Sequence, residues 1–260
     1  MAQYSVNRKR HLGQTTPRND IHEVVMIADQ AGNITNTFGA ASNIPIAAGT
    51  VDGYSHVNKF GSTDGNVTEG TVWDGNSGTA VYPYPANGVI SITGTDTGEA
   101  VEVQGLGADY NLQTETVNVG SSGSLTFSRI FRARMVSTDN AADVVINQGG
   151  SLAATILAGL GQTLMSVYTI PAGKTGYLIK LELGSDKAST NTAMTYRFFA
   201  RPSGGVFNIK GNFNAAGGQS LTIDYPVPLK FEEKTDLKVD VVAGQATQVS
   251  ATFDLILVDN

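Results

Sequence analysis

The feature that most limits what this chain can fold into is a hydrophobic period of two. Val101 and Val103 alternate with Glu102 and Gln104; Leu221, Ile223 and Tyr225 alternate with Thr222 and Asp224; Leu237, Val239 and Val241 alternate with Lys238 and Asp240. Val249, Ala251, Phe253, Leu255 and Leu257 carry the same pattern toward the last residues. Alternation of this kind buries one face of a sheet and wets the other. Helical periodicity is scarce. Its best stretch, "SLAATILAGLGQTLM" from Ser151, is apolar almost throughout and fits either a short helix or a bulged strand. Turn signals such as "DQAGN", "STDGN", "TDTGE", "GSSGS", "RPSGG" and "NAAGG" separate the alternating runs. Strands at roughly 8–12-residue spacing between such turns predict an all-β, antiparallel sandwich or jelly roll.

Three regions follow along the chain. Residues 1–60 are polar and weakly patterned, with a hairpin-like "EVVMIADQAGNITNTF" at 23–38. Residues 61–155 and 156–260 each hold enough alternating runs for a β-sandwich, as two domains or as one continuous fold. Arg8, Lys9, Arg10 and Arg18, with Lys59, give the first region a basic character. It reads either as a solvated tail or as an extended arm that clamps neighbouring subunits.

Charged residues are only 15% of the chain, against about 25% in ordinary soluble domains. A surface built mainly from Thr, Asn, Ser and Gln suits proteins that pack into assemblies. The formal charge of −6 argues against a nucleic-acid partner. Cysteine is absent, which removes disulfides, thiolate metal sites and cysteine nucleophiles together. The basic start is followed by no apolar signal core, and no run approaches about 18 apolar residues. Synthesis in the cytoplasm, with no membrane partner, is the expectation.

Motifs that could carry chemistry fail on spacing. "IPAGKTG" at 170–176 resembles a phosphate-binding loop, yet that loop needs glycine where Tyr168 stands and must run into a helix. The flanks "SVYTI" and "YLIKLEL" are strand-like, so the segment reads as a turn with Pro171 at its second position. "DGNVTEG" at 64–70 lacks the glycine of a calcium loop, leaving at most a looser cation site at Asp64, Asn66 and Glu69. His56 beside Asp64 or Asp74 makes no recognisable dyad, and Glu232 and Glu233 would point to opposite faces of a strand. No catalytic, cofactor or metal residue is therefore assigned, and no small-molecule substrate is expected. Trp73, Tyr82 and Tyr84 remain as aromatics for a subunit interface, with a carbohydrate platform as the rival use.

Several segments, in order, resemble a family of virion structural proteins from tailed phages of aquatic bacteria. They are "GYSHVNKFGSTDGN", "TVWDGNSGTAVYPYP", "EVQGLGADYNLQTETVNV", "GQTLMSVYTIPAGKTGYLIK", "RFFARPSGGVF" and "PLKFEEKTDLKV". The runs from Glu102 to Val119 and from Gly161 to Lys180 carry the resemblance most specifically. It implies a particle component assembled in the host cytoplasm and supplies no catalytic or ligand residues. The expectation drawn from it is a capsid decoration (cement) protein, a homotrimer that binds the major capsid protein and itself. Arg8, Lys9, Arg10, Arg18, Trp73, Tyr82 and Tyr84 are the expected partner contacts. A tail, collar or fibre protein that touches the host surface, and a carbohydrate-binding or carbohydrate-active sandwich, are the alternatives.

Overall fold

The structure is a computed structural model that describes residues 27–28, 34–35, 44–77, 80–186 and 193–260. The chain divides into two compact units, Met1–Ile44 and Pro45–Asn260. In the first, the described backbone is a short antiparallel ladder, β1 (Ile27–Ala28) against β2 (Ile34–Thr35), within the 23–38 segment. Arg8, Lys9, Arg10 and Arg18 lie outside the described residues.

The second unit begins with β3 (Tyr54–Ser62), β4 (Val67–Thr71), β5 (Gly88–Thr93), β6 (Ala100–Gly107), β7 (Leu112–Asn118) and β8 (Ser122–Met135). It continues with β9 (Val144–Gln148), β10 (Ser151–Ile156), β11 (Val167–Thr169), β12 (Lys174–Ser185) and β13 (Ala193–Arg201). The last strands are β14 (Asn208–Ala216), β15 (Ser220–Phe231), β16 (Asp236–Thr247) and β17 (Val249–Asp259). All pairings between them are antiparallel, so the fold class is all-β as the alternation predicts.

Two sheets face each other as a jelly roll. One has the order β15-β12-β17-β3; the other runs β14-β13-β16, with β11 and β4 sharing the far side of β16. Register shows why β11 and β4 form one interrupted strand. Thr71 sits opposite Asp240 of β16, and after the excursion Val167 resumes opposite Lys238. Taking β4 and β11 together, the strands in chain order occupy positions 1-8-3-6 in one sheet and 2-7-4-5 in the other, the double Greek key of a jelly roll. Its core holds Leu178, Leu181 and Leu183 of β12, Phe253, Leu255 and Leu257 of β17, Tyr196 and Phe198 of β13, and Val239 and Val241 of β16.

The excursion between β4 and β11 is a separate sheet of order β10-β9-β5-β8-β6-β7. It curls until β10 touches β8 across its own core. That core contains Trp73, Ile90, Ile92, Val101, Val103, Phe127, Ile146 and Ile156. Trp73 and Met165 bridge where the chain leaves and re-enters the jelly roll. β8 joins the two bodies, since Ile130 faces the curled sheet's core while Phe131 enters the jelly-roll core beside Tyr168, ring centroids 4.9 Å apart. Gly61 of β3 lies against this seam. A Cβ there would stand 2.3 Å from the Ser166 nitrogen, so only glycine lets the backbones approach this closely.

The observed layout divides the chain differently from the sequence reading. The boundary at 60 cuts through β3, and the one at 155 falls inside β10. Residues 61–155 supply most of one curled sheet, whereas the jelly roll takes 54–71 as well as 167–260. The cause is non-local pairing: Asn58 of β3 bonds Asp254 of β17, 196 residues away, and no local signal encodes that partner. "SLAATI" resolves as strand β10, with its register shifted between Leu152 and Ala154, the bulged alternative of the two weighed.

Candidate functional site

The faces of β16 decide where a site can form. Alternation predicts that Lys238 and Asp240 point to water, yet Lys238 is only 5% exposed. Its ammonium lies 5.2 Å from the Phe199 ring and 5.0 Å from the Phe207 ring and pairs with Asp240 at 2.5 Å. The outer face of the sheet is thus covered by the loop after β13 and by the segment leading into β5. Between these covers and β8 a cleft of about 380 Å³ opens, lined by Tyr84, Asn87, Tyr110, Arg129, Arg201, Lys234 and Asp236 among others.

Asp236, the first residue of β16, anchors the cleft with a side chain 3% exposed. It accepts hydrogen bonds from Thr169 Oγ1 (2.6 Å), Arg129 Nε (2.7 Å) and Nη2 (3.1 Å), and Arg201 Nε (2.9 Å) and Nη2 (2.5 Å). Fork geometry of this kind makes strong, directional ion pairs. Burial works to lower the Arg129 pKa, but the hydrogen bonds and charge of Asp236 hold it above the ordinary value. Arg129 also donates from Nη1 to the Ser128 carbonyl at 2.7 Å. Arg201 packs against the adjoining rings of Tyr84 (4.6 Å) and Phe207 (4.5 Å), themselves 5.2 Å apart, an arrangement that favours a cation.

Lys234 sits in the turn between β15 and β16, its ammonium 5.9 Å from the Tyr110 ring. Among the described residues it makes no ion pair. The lining therefore carries three cations against one carboxylate, in a chain whose formal charge is −6. Backbone strain converges here too. Among the described residues, the non-glycine positions with positive φ are Tyr84 (48°), Tyr110 (66°) and Lys234 (59°), and all three line the cleft. Bulky residues rarely adopt that conformation unless their surroundings hold them there. Tyr110 is held by its N–H to Gly107 and by its carbonyl accepting from Ala172, both at 2.9 Å; the Lys234 N–H reaches Ile170 at 2.7 Å.

The aromatics singled out in the sequence form a ladder from the curled sheet's core to this cleft. Trp73 meets Tyr82 edge-on at 5.1 Å, and Tyr82 meets Tyr84 edge-on at 4.8 Å. Trp73 is 0% and Tyr82 3% exposed, so neither presents a face to a partner or a sugar, in contrast to the interface role expected. Their large apolar area is worth more inside a core than at a rim. Burial pushes the Tyr82 phenol well up, and its O–H donates to the Ile130 carbonyl at 3.0 Å. Only Tyr84 reaches the cleft, its O–H donating to the Leu237 carbonyl at 3.3 Å.

The remaining motifs have structural partners. Lys174 N–H bonds the Pro171 carbonyl at 3.3 Å, and Gly173 has φ 71°. Pro171 is thus the first residue of the turn, not the second, and the left-handed third position is filled by glycine. Lys174 pairs with Asp259, and Thr175 Oγ1 bonds Asn260 at 2.6 Å, so the triplet ties β12 to the end of β17. His56 faces Asp254 at 3.2 Å rather than Asp64 or Asp74. Among the described residues, no cluster of His, Asp and Glu could hold a metal ion.

Arg129, Arg201, Lys234 and Asp236 were not singled out in the sequence, although "RFFARPSGG" and "FEEKTDLKV" contain three of them. A lysine and two arginines, scattered over three strands or turns, look like ordinary surface charges until the strands are paired.

The fold defines an antiparallel jelly-roll protein with a sheet inserted into its second strand. No family model matches the chain, and no curated protein does. Among solved structures it shows a distant likeness to the structure of infectious bursal disease virus, Gt strain, at 11% identity and TM-score 0.25, covering 79% of this chain and 72% of that one. The Gx strain of the same virus gives 10% identity and TM-score 0.24 over 81% and 73% of the two chains. The VP2 subviral particle of infectious bursal disease virus gives 12% identity and TM-score 0.20 over 81% and 77%. Superpositions this loose carry no argument about function.

Proposed function

We propose that this chain is a virion structural protein that acts by binding without turnover, placed on the outer head surface as a capsid decoration. The observation that carries the reading is the eight-position jelly roll with its interrupted second strand, an architecture that recurs in viral capsid domains and also in lectins. The ordered segments that resemble tailed-phage virion proteins favour the first of those uses. The jelly roll also leaves β14 and β15 at the edges of its two sheets, with Val206 72%, Ile209 51% and Val227 82% exposed near or on them. Open strand edges with apolar side chains are surfaces that a neighbouring subunit can cover.

In this reading the major capsid protein and further copies of the chain, as a homotrimer, are the partners. The basic residues Arg8, Lys9, Arg10 and Arg18 act as a salt-sensitive docking arm. Quantifying the protein on stained gels of purified particles tests the placement. Hundreds of copies per head fit a decoration on repeated lattice positions, whereas roughly a dozen or fewer would move it to the tail or collar. Deleting residues 1–20 should leave a folded body that no longer binds capsids, and unchanged binding would sink the arm.

A further inference from the structure

We propose that the cleft at Asp236 is a binding site for an oxyanion carried on a small organic molecule, a carboxylate on something about the size of one sugar ring. Three observations converge on it, independent of any role in a virion.

The first is charge. Asp236 is fully engaged by Arg129, Arg201 and Thr169, which leaves Lys234 outside that network on the same wall, with Asp109 near enough to feel its charge but not ion-paired to it. A purely structural staple between β8, β13 and β16 would need only the two arginines and the carboxylate. Lys234 adds nothing to that staple and faces an open cleft.

The second is donor geometry. Asp236 takes Arg201 through Nε and Nη2, and among the described residues Nη1 makes no hydrogen bond. The end of the guanidinium, Nη1 with the second hydrogen of Nη2, is the edge that pairs side by side with a planar carboxylate. The Tyr84 and Phe207 rings, 5.2 Å apart, pack beside that guanidinium at 4.6 and 4.5 Å, which limits how the edge can turn before a ligand arrives.

The third is strain. Tyr84, Tyr110 and Lys234 all hold positive φ, and they come from three separate connections that meet only at this cleft. Glycine would adopt the same backbone freely, so the side chains themselves are what the site retains. Strained residues gathered around one opening are typical of places where side chains are held for a ligand. The volume of about 380 Å³ falls within the range of small-molecule pockets and far exceeds what a bare inorganic ion fills.

Titration calorimetry at constant ionic strength tests this with three probes: glucuronate, glucose and inorganic phosphate. Glucuronate should bind saturably to the full chain and glucose should not. Lys234→Asn removes the charge while keeping a residue that tolerates positive φ, and Lys234 takes no part in the Asp236 network, so the fold should persist. That variant should bind glucuronate about tenfold more weakly, and Lys234→Arg should keep most of the affinity. Absence of saturable glucuronate binding, equal binding of glucose, or an unchanged affinity in Lys234→Asn would overturn the proposal. Phosphate binding in place of glucuronate would overturn it in favour of a simple ion site.

Discussion

Two groups of charges, one lining the cleft and one in the sealed interior, both touch β8 and are handled in opposite ways. In the cleft, Asp236 accepts from two guanidiniums and a threonine hydroxyl, so the buried carboxylate is fully hydrogen-bonded. In the sealed interior, Lys59 of β3 is 7% exposed and hydrogen-bonds the Phe131 carbonyl, while Asp74 is 0% exposed. Asp74 Oδ2 accepts from the Leu164 N–H at 2.5 Å, but Oδ1 has no hydrogen-bond partner. Burial, reinforced by Arg132 and opposed by Asp74, lowers the Lys59 pKa to about 7, and burial pushes the Asp74 carboxyl well above its ordinary range. Where a buried charge lacks matching partners, its group moves toward neutrality.

The largest effect that would break this contrast is loss of the cleft's carboxylate. Asp236→Ala leaves two guanidiniums facing each other without a counter-ion and should destabilise the protein by about 3–4 kcal/mol in urea unfolding. A loss under about 1 kcal/mol would mean that water already screens the network.

The interior charges should reveal themselves through pH. The unfolded chain holds the Lys59 proton up to about 10.5, whereas the folded chain releases it near 7. Between those values the unfolded state binds more protons, so this group's contribution makes stability rise with pH. From pH 6 to pH 9 the gain should be about 2–3 kcal/mol, and Lys59→Met should flatten it.

Asp74 works with the opposite sign. Its folded pKa lies above the ordinary 3.8, so its stabilising contribution is present at low pH and is lost as pH rises through the folded value. Asp74→Asn keeps an acceptor for the Leu164 N–H and stays neutral. The variant should match the wild type near pH 4 and exceed it progressively as pH rises from there toward the folded carboxyl's pKa. Thermal melts across the range would show the crossover, and a uniform loss at every pH would contradict it.

The smallest effect concerns strain. Lys234→Gly relieves a left-handed lysine and should raise stability by about 1 kcal/mol or less. Combined with weaker glucuronate binding, that gain would mark Lys234 as a residue retained at the expense of stability.

Much of the fold was legible because burial on a strand is a local, alternating property. Val249, Ala251, Phe253, Leu255 and Leu257 are all buried in β17, as their spacing predicts. The same logic failed on β16, where Lys238 is buried because the loop after β13 and the segment before β5 cover the sheet's outer face. It also failed to distinguish Tyr84 from Trp73 and Tyr82, since position in an aromatic ladder depends on depth, not on neighbours in sequence. The cleft was illegible for a related reason. Arg129 and Asp236 are 107 residues apart, and each alone is an unremarkable charge.

The sequence by itself determined an all-β chain, the faces of most strands, and the absence of a phosphate loop at 170–176, because side-chain alternation and turn chemistry act within a few residues. Only the tertiary structure decided that β4 and β11 are one interrupted strand, that Trp73 and Tyr82 are sealed, and that three cations meet one carboxylate. Those outcomes depend on which distant backbones pair and what covers them, and strand pairing leaves no mark that neighbouring residues can reveal.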